Sequence, residues 1–123
     1  MLDPVVIDHV IYAHPDLDAA VAYLANRFGV LATGGGRHPA RGTHNKLLAL
    51  GARTYLEVIA PDPDQPEPDE PRPYGVEGIS RGGLVGWALA VDDIDAAVAN
   101  ARQWASIPVA CSTVTELTRQ GRC

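Results

Sequence analysis

The chain predicts an α+β fold assembled from βαβββ modules, with one full copy followed by an incomplete second copy. Two observations carry this. The stretch Ala13-His14-Pro15-Asp16-Leu17-Asp18-Ala19-Ala20-Val21-Ala22 returns as Ala90-Val91-Asp92-Asp93-Ile94-Asp95-Ala96-Ala97-Val98-Ala99, at a constant offset of 77 residues. A short apolar, strand-like run precedes both copies. A repeated strand-then-helix marks two related modules rather than one continuous design.

Each element has a local cause. Residues 5–13 are β-branched and aromatic, with Ile7, His9 and Ile11 on one face and Val6, Asp8, Val10 and Tyr12 on the other. Asp16 is the expected N-cap of a helix, Asp18 favours its first turn, and Gly29 stops it. Leu17, Ala20, Val21, Leu24 and Phe28 form its apolar stripe. An extended piece over 30–33 leads into Gly34-Gly35-Gly36, and strands are expected over 45–51 and 53–60, joined by a tight turn at Gly51-Ala52. Prolines 61, 63, 66, 68, 71 and 73 alternate with acidic residues, a composition that favours extended, solvated chain. Residues 61–83 thus read as a connector between a first module over 5–60 and a partial second over 84–123, all within one domain spanning 1–123. The second module's strand is expected over 84–91 and its helix from Asp93, with Ile94, Ala97, Val98 and Ala101 repeating the first stripe.

Composition narrows the function classes. Fifteen acidic residues against ten basic give a net charge of −5, which argues against nucleic acid as a partner. No apolar run is long enough to span a membrane and no basic-then-apolar leader opens the chain, so the expected location is cytoplasmic. Cys111 and Cys123 are expected as free thiols rather than as a disulfide or a zinc pair. Gly34-Gly35-Gly36 lacks both the spacing and the following helix of a dinucleotide fingerprint.

The run Ile7-Asp8-His9-Val10, with Pro15-Asp16-Leu17-Asp18-Ala19-Ala20, resembles the opening module of the vicinal oxygen chelate superfamily. Gly35-Gly36-Arg37-His38-Pro39, with Gly42-Thr43-His44-Asn45-Lys46-Leu47-Leu48-Ala49-Leu50-Gly51, resembles its glyoxalase-like domain branch, and Tyr55-Leu56-Glu57-Val58-Ile59-Ala60-Pro61 the strand that closes the module. The likeness covers residues 5 to about 102. It implies the glyoxalase, bleomycin-resistance and dioxygenase type of fold, in which paired modules form a curved sheet around a divalent metal or a small ligand. It also implies a small oxygen-rich substrate and isomerase, lyase, dioxygenase or purely binding roles.

His9 and Glu57 match the positions at which metal-dependent relatives place ligands. An imidazole and a carboxylate on adjacent strands suit Zn, Ni, Mn, Fe or Mg, and Glu57 is also the candidate proton-transfer residue. The plainer alternative is a hydrogen-bonded core His9 and a Glu57 paired with Arg37 or Arg53. Gly86, 77 residues after His9, offers no side chain, so a substrate oxygen or a second chain would have to complete a metal shell. Arg37, His38, Thr43 and Asn45 concentrate polar groups beside the glycines and are candidate substrate contacts, or else a polar surface loop. Trp87 is a candidate apolar wall or a core residue. After Arg102 too few residues remain for three more strands, with 107–114 suited to one. The expectation is a truncated second module, or a homodimer whose partner completes the sheet. The competing functions are a metal-free small-molecule binding protein and a truncated, inactive fragment.

Overall fold

The computed structural model describes residues 6–104. Its elements run β1 (Val6–Ala13), α1 (Leu17–Phe28), β2 (Arg37–His38), β3 (Thr43–Ala49), β4 (Tyr55–Pro61), a 3₁₀ turn over Pro73–Gly78, β5 (Gly83–Ala90) and α2 (Ile94–Trp104). The five strands form one sheet in the order β2-β3-β4-β1-β5. β1 and β4 are parallel, while β3 runs antiparallel to both β2 and β4. The α+β class and the βαβββ order are therefore as the sequence predicts. The expected strand at 107–114, both cysteines and the end of the second module lie outside the described residues. No helix among the described residues is long and apolar enough to cross a membrane.

Contacts divide the chain into two units, His9–Trp87 and the residues flanking it on either side. In the first, the crossover from β1 to β4 carries α1 onto one face of the sheet. Leu17, Ala20 and Leu24 bury against Leu48, Leu56, Val58 and Ala60, with Val10, Tyr12 and Val21 packed at the margin. Each fully buried leucine contributes about 1.5–3 kcal/mol. Asp16 caps α1 by accepting the Ala19 N–H at 2.8 Å, and Gly29 ends it in the left-handed region at φ 69°. Phe28 departs from the expected stripe. The core cluster stops at Leu24, and the last turn leaves Phe28 63% exposed.

The expected strand over 30–33 is reduced to a single bridge. Thr33 exchanges both backbone hydrogen bonds with Leu47, at 2.8 and 2.9 Å, and the glycine loop then leaves the sheet. Pairing with β3 resumes only at Arg37–His38. The interruption has a cause in Asn45, whose side-chain Oδ1 accepts the Gly36 N–H at 2.9 Å and whose own N–H donates to the Gly36 carbonyl at 3.0 Å.

The proline-rich segment is also more ordered than its composition suggests. Asp62 is buried, with its N–H donating to the Gly42 carbonyl at 2.9 Å. Arg72 grips both Glu67 oxygens at 3.0 and 3.1 Å, Glu77 at 2.8 Å and the Gly42 carbonyl at 2.9 Å. Val76 is buried with Ile11, Ala13 and Ile59 on the sheet face opposite α1. Charge pairing and one apolar anchor outweigh the proline-rich chain's preference for solvent.

In the second unit, α2 repeats the first helix's entry. Asp93 accepts the Ala96 N–H at 3.0 Å, and Ile94, Ala97, Val98 and Ala101 are the less exposed positions of the helix.

Candidate functional site

Strand alternation and register decide which candidate residues meet. His9 is opposite Tyr55 and Ile11 is opposite Glu57 across β1 and β4; Asn45 is opposite Ile59 and Leu47 is opposite Glu57 across β3 and β4. Thr43, Asn45, Tyr55, Glu57 and His9 therefore share the face that α1 does not cover. His38, paired with Thr43, joins them. Five of the candidates, His9, Glu57, His38, Thr43 and Asn45, lie on this open face.

At its centre, Asn45 Nδ2 donates to Glu57 Oε2 at 2.6 Å. Asn45 is nearly buried and is oriented by Gly36 on its other end, so the amide has one arrangement that satisfies both contacts. Among the described residues the Glu57 carboxylate makes no ion pair, and its Oε1 accepts no hydrogen bond. It is neither locked to Arg37 nor to Arg53. His38 Nδ1 and Thr43 Oγ1 lie 2.9 Å apart at the β2–β3 end of the face. His9 is 4% exposed and stacks on Tyr55, with ring centroids 4.8 Å apart and planes 11° from parallel. Its register position is two residues from that of Glu57, about 6.6 Å along the strand.

Arg37 and Trp87 lie elsewhere. Arg37, paired with His44, points to the α1 side, where it meets Asp64 at 2.9 Å and Asp62 at 3.5 Å. A Cβ at Gly86 would lie 3.6 Å from the Ile11 side chain, so Gly86 faces the open side. Alternation along β5 then turns Trp87, 64% exposed, the other way. A cleft of about 760 Å³ is lined by Asp16, His44, Asp62, Gln65, Arg72 and Val76 among others, and includes neither Glu57 nor His9. Asp62 is held below the ordinary carboxyl range, first by the Gln65 hydrogen bond at 2.8 Å and, less strongly, by the Asp64 N–H and the nearby His44 and Arg37.

One residue that sequence reasoning passed over, Tyr74, feels the Glu57 charge. Burial raises the Tyr74 phenol above its ordinary pKa, the Glu57 charge raises it further, and Arg41 opposes them. Tyr74 as a residue is 44% exposed, so this desolvation is felt at the hydroxyl end of the ring. Its backbone is left-handed, at φ 59° and ψ 15°. That conformation is uncommon for a non-glycine residue and invisible in composition.

The donor set does not close a resident metal shell by itself. His9 and Glu57 supply two ligands, Gly86 supplies none, and no group of three or more His, Cys, Asp or Glu able to hold a metal ion occurs among the described residues.

The βαβββ order, with β1 parallel to β4, is the fold of the vicinal oxygen chelate class. The Glyoxalase-like domain family matches residues 7–122, and the chain belongs to that family within the vicinal oxygen chelate superfamily. Among solved structures it is similar to a methylmalonyl-CoA epimerase at 33% identity and TM-score 0.57, covering 79% of this chain and 68% of that one. It is also similar to methylmalonyl-CoA epimerase from Mycobacterium tuberculosis, at 25% identity and TM-score 0.58, covering 79% of this chain. The chain spans 62% of the length of that enzyme. A hypothetical protein from Bacillus halodurans C-125 shares the fold at TM-score 0.64 with 15% identity, covering 82% of this chain and 69% of that one. No curated protein matches the sequence.

Proposed function

We propose that this protein moves a proton at a carbon next to a carbonyl of a small oxygen-rich metabolite, an isomerase or epimerase chemistry with Glu57 as the proton-transfer group. The observation that supports this best is the Glu57 carboxylate itself, half-buried on the open face, fixed through Oε2 by Asn45 and with Oε1 unbonded among the described residues. One oxygen oriented and one available is the arrangement a general base needs. The similarity to methylmalonyl-CoA epimerases makes a CoA thioester the substrate to try first. His38, braced by the fully buried Thr43, offers a polar contact at one end of the face, and Tyr55, stacked on the buried His9, a flat wall at the other. A divalent metal, when bound, would polarise the carbonyl. His9 would contribute to its shell while Glu57 moves the proton, and substrate oxygen or the partner of a homodimer would complete it.

Solvent deuterium exchange into methylmalonyl-CoA, followed by NMR with and without added Mg, Mn, Ni, Fe or Zn, tests the reading. Exchange by the parent protein and its loss in Glu57→Gln support it. Tight binding with no exchange under any condition would replace it by the second reading, a metal-free binding protein, which the two-ligand donor set favours.

A further inference from the structure

Part of the sheet face that carries Glu57 is closed by a segment outside the sheet. Val76, in the 3₁₀ turn over Pro73–Gly78, packs on Ile11, Ala13 and Ile59, and all four are at most 2% exposed. Ile11 is the cross-strand partner of Glu57, and Ile59 is the next residue on its face of β4. Val76 thus occupies the apolar ground beside the carboxylate. The turn belongs to none of the five strands and is held at its two ends. Upstream, Arg72 donates to both Glu67 oxygens, to Glu77 and to the Gly42 carbonyl, and its acidic partners are 82% and 44% exposed. Downstream, Gly82 lies so close to Tyr12 and His14 that a Cβ there would collide with both rings. Between these ends Tyr74 and Gly75 are both left-handed, at φ 59° and 64°, which breaks the turn in two. The cleft of about 760 Å³ borders the same segment, with Arg72, Val76, Glu77 and Ile79 in its wall.

Resting on the proton-transfer reading of Glu57, we propose that residues 73–81 form a lid, latched by Arg72, whose Val76 holds the place of the substrate's aliphatic group. A base acts only on a carbon held within reach of it, and Val76 fills the space next to Glu57 in which that carbon's apolar substituent would lie. Displacing the lid uncovers Ile11, Ala13 and Ile59 as a small apolar pocket beside the carboxylate, which suits a ligand with a short aliphatic group next to the carbon that loses its proton. Three features let the segment move. One buried side chain, with Ile79 packed at its margin, seats it, and segments held so lightly open at a free energy well below that of global unfolding. The exposed acidic partners of the latch exchange their ion pairs for water at little cost. The adjoining cleft gives the displaced turn room. Closure of such a segment over a bound ligand also excludes water from the reacting group.

Thiol labelling tests the lid independently of any reaction. Ala13→Cys and Ala20→Cys put thiols at two fully buried positions, one in the cluster beneath Val76 and one between α1 and the opposite face of the sheet. Iodoacetamide labelling is read by peptide-resolved mass spectrometry, which separates these sites from Cys111 and Cys123. Ala13→Cys is expected to react at least roughly ten-fold faster than Ala20→Cys. Adding Arg72→Gln is expected to quicken Ala13→Cys by roughly another ten-fold and to leave Ala20→Cys unchanged. Saturating methylmalonyl-CoA is expected to slow labelling at Ala13→Cys alone, and labelling unaffected by the bound thioester would overturn the pocket. Ile59→Cys is a second reporter beneath Val76 should Ala13→Cys fail to fold. Reaction of both reporters no faster than Ala20→Cys would overturn the lid while leaving the proton-transfer reading in place. Fast labelling beneath Val76 in a protein that exchanges no deuterium into methylmalonyl-CoA would uphold the lid and remove the proton-transfer reading.

Discussion

Asn45 and Glu57 meet across the β3–β4 pair, with Nδ2 donating to Oε2 at 2.6 Å, and the same amide accepts the Gly36 N–H through Oδ1 at 2.9 Å. The glycine loop, the strand and the carboxylate are thereby one hydrogen-bonded unit. Loop geometry is transmitted to the Glu57 carboxylate through a single side chain.

Replacing Asn45 separates its two roles. Asn45→Ala leaves the part-buried Gly36 N–H without its acceptor and is expected to cost about 1–3 kcal/mol, read as a lower urea midpoint with an unchanged slope. Asn45→Asp sets a second carboxylate against Glu57. The donor to Oε2 is lost and two like charges are set side by side, so Glu57-dependent proton exchange is expected to fall relative to the parent.

Gly35 is the position where any side chain is excluded. A Cβ there would lie 2.1 Å from the Asn45 carbonyl oxygen, at a backbone φ of 80°. Gly35→Ala is expected to destabilise by more than about 2 kcal/mol and to reduce Glu57-dependent exchange with it. Gly51→Ala, which meets nothing within 4 Å, is the control and should melt within a degree or two of the parent.

The buried Asp62 sets an acid limit on stability. Its folded-state pKa is depressed below the ordinary 3.8, chiefly by the Gln65 hydrogen bond. A depressed carboxyl contributes stability that is present above the unfolded pKa and is lost as pH falls through the folded one. The parent should therefore be more stable than Asp62→Asn at neutral pH, and the gap should close as pH falls below about 4. Chemical denaturation from pH 7 to pH 3 measures this. A gap that stays constant would show that Asp62 acts through shape alone.

Arg72 ties the proline-rich segment to the β2–β3 turn. Arg72→Ala should leave the sheet intact while opening residues 61–83 to limited proteolysis, and Arg72→Lys should restore little, because an ammonium cannot reproduce the bidentate contact with Glu67. Equal protease resistance in parent and Arg72→Ala would show that Val76 and the Asp62, Asp64 and Gln65 contacts hold the segment without it.

The two caps should respond alike. Asp16→Ala and Asp93→Ala each remove an acceptor from the N–H three residues on, at 2.8 and 3.0 Å, and each is expected to cost about 1 kcal/mol. Helix-resolved hydrogen exchange would check both.

Local chemistry determined much of this protein. The repeat of Asp16 at Asp93, the left-handed stop at Gly29 and the alternation along β1 and β4 are written in residues that act on neighbours only a few positions away. For that reason the βαβββ order was legible before any coordinates, whereas the pairing of His9 with Glu57 was what the family resemblance implied. Tertiary structure alone decided the rest. Arg37 and His38 are adjacent in sequence, yet pairing with His44 and Thr43 sends one to the Asp62 side and the other to the Glu57 side. The Val30–Thr33 run has strand-like residues, but Asn45 captures Gly36 and leaves a single bridge at Thr33. Tyr74 takes its place from anchors at Arg72 and Val76, contacts far apart along the chain whose combined effect no sequence period encodes. Short-range propensity chooses the elements, whereas the side of the sheet on which a loop's side chains arrive depends on long-range register and on charges that meet only after folding.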